Sequence, residues 1–554
     1  MKGCSLNIIN DQQRNLLFGL IVAAIAFLVY ANSLENGFVW DDTNVILTND
    51  LLKGSPFTLF RSIDSTRDYE LLPYYRPLTQ LSFLVEGRLH GFAPFWMHLV
   101  NLVLHSANAG LVYMLARLLD GNRTAALLAA LLFAVHPINT ETVDFLSARN
   151  TIIACFFSLC SFLSYHRAVA SRSSAAAGAA GLFLLAGLFS KESAFMILPF
   201  LLWIEFAKRQ HGEWSWLRVI GRAVPCGAAA VVYLVLRWLT LSPLGIQTGI
   251  IPGVGAGKLT GIYKIPAFWE RVSDNLYIIP RYLLTIFRPT MFSLRYEVPG
   301  DFSPKALLLA AAWTIIIGTL LWAVGKGRSR MTLFGLFWFA AFYLPVSGVV
   351  MFPSAPMADR YLYLPAIGLW LVIADKTDRL ILSGKHAARY GWIAVTVVLV
   401  LLSGLTVVRN RDWRNDISLF SRFVEQYPED AYGHSGLGSA YYAAREKDIR
   451  YLDLAEAELL KSLEINPQIP GIHTTVGNIR LIRGDSEAAL HYYTIALGIY
   501  PLDKEALLNR AITYENLDRG AEALEDFRRF LAIPGYELSD ARPYAEARIQ
   551  VLSK

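Results

Sequence analysis

Two adjacent carboxylates, Asp41 and Asp42, stand just past an apolar run from Asn15 to Leu34 and directly after Val39 and Trp40. Carboxylates set against an apolar surface are costly unless partnered, and partial desolvation makes a carboxylate more basic. A general base for a hydroxyl is one use of such a pair. A divalent metal site, an ion pair with a nearby Arg, or an Asx-type turn before Asn44 are the ordinary alternatives. Further ionisable groups fall at the ends of other apolar runs: His136, Glu141 and Arg149 in FAVHPINTETVDFLSARN, Lys191 and Glu192 in SKE, and Asp359 and Arg360 ahead of Tyr361. Charges at a membrane boundary mark functional sites when several converge on one cavity, and otherwise pair to hold helices together. His98, Asn101 and His105 share one helical face by their spacing. A separation of seven positions between the two His lacks the i, i+4 geometry of a zinc motif, so polar packing between helices is the expected use. No G-x-x-x-x-G-K-[ST] loop, G-x-S-x-G elbow or dinucleotide fingerprint occurs, which excludes nucleotide and serine hydrolysis.

The elements that must position these groups are apolar helices. The 554 residues are 54% hydrophobic and 17% charged, with a mean hydropathy of +0.38, too apolar for a wholly soluble chain. After the run at 15–34, further runs at 95–118, 124–136, 150–166, 176–190, 193–207, 219–240, 305–325, 331–350, 361–382 and 391–408 predict eleven membrane crossings in all. Lys208, Arg209, Arg218 and Arg222 share one loop, Lys326, Arg328 and Arg330 a second, and Lys376, Arg379, Lys385 and Arg389 a third. With all three cytoplasmic, residues 1–14 are cytoplasmic and the carboxyl-terminal region lies on the far side. This parity requires 276–292, with Arg281, Arg288, Pro280 and Pro289, to be a surface or re-entrant helix. The large far-side loops are then 35–94 and 241–304, and Asp41, His136, Glu141, Arg149, Lys191, Glu192, Asp359 and Arg360 all face their compartment. Basic residues are scattered through short loops without interleaved aromatics, so nucleic-acid binding is not expected. Cys4, Cys155, Cys160 and Cys226 show no metal-ligand spacing and read as buried free thiols.

The formal charge of +6 is a sum of unlike parts: +11 up to residue 408 and −5 beyond it. After 409–430, a linker with a half-repeat helix (DISLFSRFVEQYP, 416–428), a repeat emerges over 431–469, 470–503 and 504–537, followed by a capping helix at 538–554. Gly438, Gly477 and Ala511 occupy equivalent places, as do Ala455, Ala489 and Ala523, and Pro467, Pro501 and Pro534 close the units. Small residues recur where two helices of a hairpin approach closely, the signature of tetratricopeptide repeats. The first repeat is five residues longer than the third, which predicts a larger turn around 446–450. The fold class is therefore all-α: a polytopic transmembrane domain over 15–408 and a soluble α-solenoid after it.

VWDD (39–42), YYRPL (74–78), HLVNLVLH (98–105), FAVHPINTE (133–141), SARN (147–150), SKE (190–192) and ADRYLYLP (358–365) occur in this order ahead of the repeats. As an ordered set they resemble the transmembrane and tetratricopeptide-repeat O-mannosyltransferases, including bacterial relatives, and more distantly the protein O-mannosyltransferases and the C-type glycosyltransferase superfamily. The resemblance implies transfer of a monosaccharide, mannose by family, from a polyprenyl-phosphate donor to Ser or Thr hydroxyls of proteins on the non-cytoplasmic face. It implies an acidic pair in the first outer loop, here Asp41 and Asp42, with Asp41 the base; this chain departs from the mannosyltransferase Asp-Glu form at Asp42. The lipid-phosphate leaving group needs cations. Arg76, Arg149, Lys191 and Arg360 are the candidates, Arg149 and Arg360 foremost, with His136, Glu141 and Glu192 as further donor-binding residues. Direct displacement would invert the anomeric centre. A divalent cation, Mg or Mn, is a possible cofactor on Asp41 and Asp42. The repeats are expected to bind the acceptor protein. A bacterial inner membrane with periplasmic repeats is the expected location, or the endoplasmic reticulum membrane with luminal repeats in a eukaryote. The competing classes are a noncatalytic scaffold acting through its repeats and a lipid or sugar transporter.

Overall fold

The computed structural model describes residues 10–61, 74–120, 122–209, 215–242, 268–296, 318, 329–349, 355–382, 385–469, 471–533 and 541–553. Among them every regular element is helical. They divide into two compact units, Met1–Asn415 and Asp416–Lys554.

The first unit contains α1 (Asp11–Tyr30), α2 (Pro77–His90), α3 (Pro94–Asp120), α4 (Arg123–Val135), α5 (Thr140–Asp144), α6 (Arg149–Ser171), α7 (Ser174–Leu188), α8 (Leu198–Arg209), α9 (Trp216–Leu241), α10 (Phe268–Phe287), α11 (Arg330–Tyr343), α12 (Pro365–Leu382) and α13 (Lys385–Asn410). A capping box, with Asn10 accepting from the Gln13 amide and Gln13 from the Asn10 amide, starts α1. Among the described residues five helical segments are long and apolar enough to cross a membrane: Asp11–Glu35, Pro94–Leu119, Leu146–Ser171, Trp216–Leu241 and Arg389–Trp413. Residues 123–144 make a sixth if α4 and α5, bent by 48° at their junction, count as one broken span. The first unit is thus a multi-pass membrane domain. The eleven apolar runs do not become eleven full-length helices. With 15 and 14 residues, α7 and α11 reach only about 22 Å, short of a hydrocarbon core of about 30 Å. The run at 193–207 divides into a 3-10 helix, Glu192–Ile197, and α8. Residues 305–317 and 319–325 of the expected span at 305–325, and 243–267 and 297–304 of the expected loop at 241–304, lie outside the described residues, as do Lys326 and Arg328.

Close packing follows from small residues. Gly335 of α11 meets Gly368 of α12 so tightly that a Cβ at Gly335 would lie 2.5 Å from the Gly368 carbonyl, and one at Gly181 of α7 would lie 2.6 Å from the Pro225 carbonyl of α9. This is how apolar helices associate where lipid removes the hydrophobic drive. The break between α4 and α5 has a local cause. Pro137 cannot continue the helix, and His136 Nδ1 accepts the Ile138 amide at 3.1 Å to cap the next turn. The described residues of 35–94, expected as one outer loop, carry short turns and α2. Ile46, Leu52, Leu59, Phe83, Leu84, Met97 and Leu146 form a separate small core there.

The second unit contains α14 (Asp416–Gln426), α15 (Ala431–Ala444), α16 (Arg450–Ile465), α17 (Ile472–Ile482), α18 (Ser486–Ile499), α19 (Lys504–Asn516), α20 (Gly520–Ala532) and α21 (Ala541–Leu552). The pairs α15/α16, α17/α18 and α19/α20 pack as hairpins on the three stretches where the small residues repeat. Asp430, Asp485 and Asp503 cap α15, α18 and α19 through the amides of Gly433, Ala488 and Ala506. Gly438 faces Leu459 and Gly477 faces the Tyr493 ring, leaving no room for a Cβ. Five residues, 445–449, separate α15 from α16, against three in each later hairpin, so the larger turn takes up two of the five extra residues of the first repeat.

Candidate active site

After α1 the chain passes through a 3-10 turn, Ala31–Glu35, and reverses at Trp40, whose φ of 53° is left-handed. That conformation costs a non-glycine residue of order 1 kcal/mol and persists where its surroundings fix it. Here a three-ring column fixes it: Trp40 stacks on Phe145 at 5.2 Å, and Phe145 on Trp413 at 5.7 Å. The two carboxylates that follow part company. Asp42 is fully buried; its Oδ1 accepts from the Ser147 amide and hydroxyl, both at 2.7 Å, and its Oδ2 from the Val39 amide at 3.3 Å. Burial pushes its carboxyl up to about 7, although these hydrogen bonds pull it down; the Asp41 charge adds to the rise. Asp41 is exposed.

Three of the expected cations converge. Arg76, which precedes α2, donates to Glu192 Oε2 at 3.3 Å and lies 3.8 Å over the Tyr74 ring. Lys191 donates to Thr151 Oγ1 at 2.8 Å and sits 5.9 Å from the Tyr361 ring. Arg360 is held by Glu141, which accepts its amide at 3.0 Å and also its guanidinium, and it lies 5.7 Å from the Trp40 ring and 5.2 Å from the Tyr361 ring. These groups sense one another. Burial, followed by the Arg76 and Arg360 charges, pulls the Lys191 ammonium down to about 7 against Glu192 and Glu141. Burial would raise the Glu192 carboxylate, but Arg76 and Arg237 outweigh it and hold it below its ordinary range. Burial opposes the Arg360 charge, yet Glu141, Tyr361 and Asp41 hold its pKa above the usual value. Glu192 thus pairs with Arg76 and Glu141 with Arg360, and Asp41 stands within electrostatic reach of Arg360.

Two expected donor-binding residues serve the scaffold instead. Arg149 has no exposed surface, and all five of its N–H donors are used: Nε to Asn101 at 2.7 Å, the other four to Ser82, Met97 O and both Glu86 oxygens. With those donors committed, it has none left for a phosphate. His136 is buried with both ring nitrogens on backbone, Nε2 on Ile286 O at 3.1 Å and Nδ1 on the Ile138 amide. His98, Asn101 and His105 likewise engage Gly37 O, Val143 O and the Tyr363 hydroxyl, the polar packing their spacing predicts. The expected metal pair fits a cation poorly, since Asp42 is committed to Ser147 and Val39. Among the described residues no group of three or more His, Cys, Asp and Glu is placed to hold a metal ion.

Sequence reading missed Ser147, Glu86 and Thr151 as partners, and Arg409 and Tyr296, which hold Asp359 at 2.8 Å and 2.5 Å. Ser147 opens SARN, so the order of the motifs was the available signal. Arg409 and Tyr296 lie in no motif.

No protein-family model matches the sequence. Among curated proteins, the protein O-mannosyl-transferase Tmtc3 of Drosophila melanogaster is 25% identical over 93% of this chain and 58% of its own length. Human protein O-mannosyl-transferase TMTC3 is 24% identical over 94% of this chain and 55% of its own length, and human TMTC4 27% identical over 76% and 63%. The chain therefore spans under two thirds of the length of these relatives. Among solved structures, the archaeal oligosaccharyltransferase AglB of Archaeoglobus fulgidus is 14% identical, covering 74% of this chain and 58% of its own, at a TM-score of 0.39, too low a likeness to bear on the fold. On motif order and on identity along most of its length, the chain is a distant relative of the transmembrane and tetratricopeptide-repeat O-mannosyltransferases.

Proposed function

We propose that this chain is a membrane glycosyltransferase that moves a monosaccharide, mannose by the names of its relatives, from a polyprenyl-phosphate donor to a Ser or Thr hydroxyl of a protein. The observation that carries the reading is the exposed Asp41 carboxylate beside a cluster of three cations, Arg76, Lys191 and Arg360, in which Glu192 pairs with Arg76 and Glu141 with Arg360. Asp41 accepts the acceptor hydroxyl proton as the oxygen bonds the anomeric carbon. The bond from that carbon to the phosphate oxygen breaks, the polyprenyl phosphate leaves with the electron pair, and the cations stabilise the developing charge. A single displacement inverts the anomeric centre. Asp42 is not a second nucleophile but fixes the loop on Ser147.

The basic loops around Arg218, Lys376 and Arg389 support a cytoplasmic side opposite the site, and transfer on this reading takes place on the non-cytoplasmic face, periplasmic in a bacterium or luminal in a eukaryote. The repeat hairpins are the surface that recruits the acceptor protein. Protein in nanodiscs, given a polyprenyl-phosphate mannose and an acceptor peptide, is expected to transfer the sugar. Asp41→Asn keeps the fold and loses about 10²- to 10⁴-fold in rate, the usual worth of a general base; full activity in that variant removes Asp41 from the role.

A further inference from the structure

The turn that carries Arg360 is held from four directions. Tyr282 of α10 brackets Ala358, accepting its amide at 3.1 Å and donating to its carbonyl at 3.0 Å. The next residue, Asp359, has no exposed surface. Its Oδ1 accepts from the Tyr296 hydroxyl at 2.5 Å and its Oδ2 from Arg409 of α13 at 2.8 Å. Arg409 also donates through Nε to Thr140 Oγ1 at 2.5 Å and lies 4.1 Å over the Phe292 ring. Thr140 begins α5, and its neighbour Glu141 grips Arg360. Two consecutive residues of α5 and two of the Arg360 turn are therefore paired twice, once directly by Glu141 and once through Arg409.

A buried ion pair is weak evidence for stability, because desolvation offsets its Coulomb attraction; registry is its best-attested use. The registry here concerns a single flexible side chain. An Arg that must meet a leaving phosphate gains from a fixed direction, since a guanidinium in the wrong rotamer loses the electrostatic benefit. We propose that Asp359, Arg409 and Tyr296 are a positioning set that aims the Arg360 guanidinium at the donor phosphate. The inference rests on the donor reading above and assigns work to three residues outside the reacting groups.

The test is a double-mutant cycle on the full chain in nanodiscs. Tyr296→Phe removes one hydroxyl and Asp359→Asn one charge, each alone and combined with Arg360→Lys. Each single change is expected to lower kcat about tenfold with KM within about twofold, as for an interaction made only in the transition state. In the Arg360→Lys background, where there is no guanidinium to aim, neither change is expected to cost more than about twofold further. Losses that multiply in full would show a purely structural role and overturn the proposal, as would unchanged kcat in both single variants. Arg409→Lys, which keeps the charge, is expected to retain more activity than Arg409→Gln. Should the unaltered chain transfer no sugar from any polyprenyl-phosphate hexose, the donor reading fails by itself. The positioning claim is then decided by binding of undecaprenyl phosphate against undecaprenol. Asp359→Asn weakening only the phosphate upholds it; equal effects on both sink it.

Discussion

Asp41 and Asp42 are chemically identical neighbours placed in opposite surroundings, and their titration behaviour separates them. With its carboxyl pushed up to about 7 by burial, Asp42 holds a proton in the folded chain across a range where the unfolded chain, near 4, has lost it. Its contribution to stability is therefore complete below about pH 4 and is lost as the pH rises through about 7. Asp42→Asn removes this part of the slope. Thermal unfolding in nanodiscs is expected to show a smaller fall in Tm between pH 5 and pH 8 than in the unaltered chain, with Asp359, raised likewise by burial, among the groups that keep part of the fall. Lys191 carries the opposite prediction. An ammonium pulled down to about 7 is a cation at pH 6 and largely neutral at pH 8, so on the proposed donor reading the Lys191 contribution to undecaprenyl phosphate affinity is expected to fall as the pH rises through 7. Lys191→Arg, fixed in charge, flattens that profile in a calorimetric titration.

At the level of elements, positions that admit no side chain make the sharpest case. A Cβ at Gly368 would run into the Gly335 carbonyl, whereas at Gly178 and Gly404 it would meet nothing. Gly368→Ala is expected to destabilise the membrane unit by about 1–3 kcal/mol through forced separation of α11 and α12, while Gly178→Ala leaves Tm unchanged or slightly raised; equal behaviour of the two would mean that α11 and α12 do not touch in the membrane. What was legible beforehand follows the same logic. Apolar runs and small-residue spacing are local signals, so α1, α3, α6, α9, α13 and the hairpins from α15 to α20 were visible, down to the enlarged turn before α16. Adjacent charges were visible as candidates, but not their partners. Whether Arg149 points to a substrate or to Glu86 depends on residues 63 positions apart, and nothing in SARN encodes that choice. The same holds for the Arg409–Asp359 pair and the Trp40–Phe145–Trp413 column, which join segments distant in sequence.

The whole chain combines two units with different solvents and separate cores. The membrane unit closes around Trp338, Trp370, Phe334 and Tyr363, and the repeat unit around Tyr493, Phe527 and Phe530. Residues 416–554 carry 15 basic and 22 acidic side chains, so the formal charge of +6 says little about either surface. A unit with its own core and capped helices can fold alone. Residues 416–554, expressed separately, are expected to give a helical, cooperatively melting protein. The reading that the repeats recruit the acceptor then yields a difference between substrates. A chain ending after Asn415 is expected to glycosylate a short peptide as well as the full chain does, yet to lose about tenfold in kcat/KM on a folded acceptor through KM alone. An acidic recruiting surface favours basic acceptors, and raised salt weakens that attraction by shortening the Debye length. Salt is therefore expected to erode the full chain's advantage on a folded basic acceptor and to leave peptide transfer unaffected. Equal losses on both substrates after truncation would make the repeat unit a support for the membrane fold, with acceptor choice residing in the loops around Asp41.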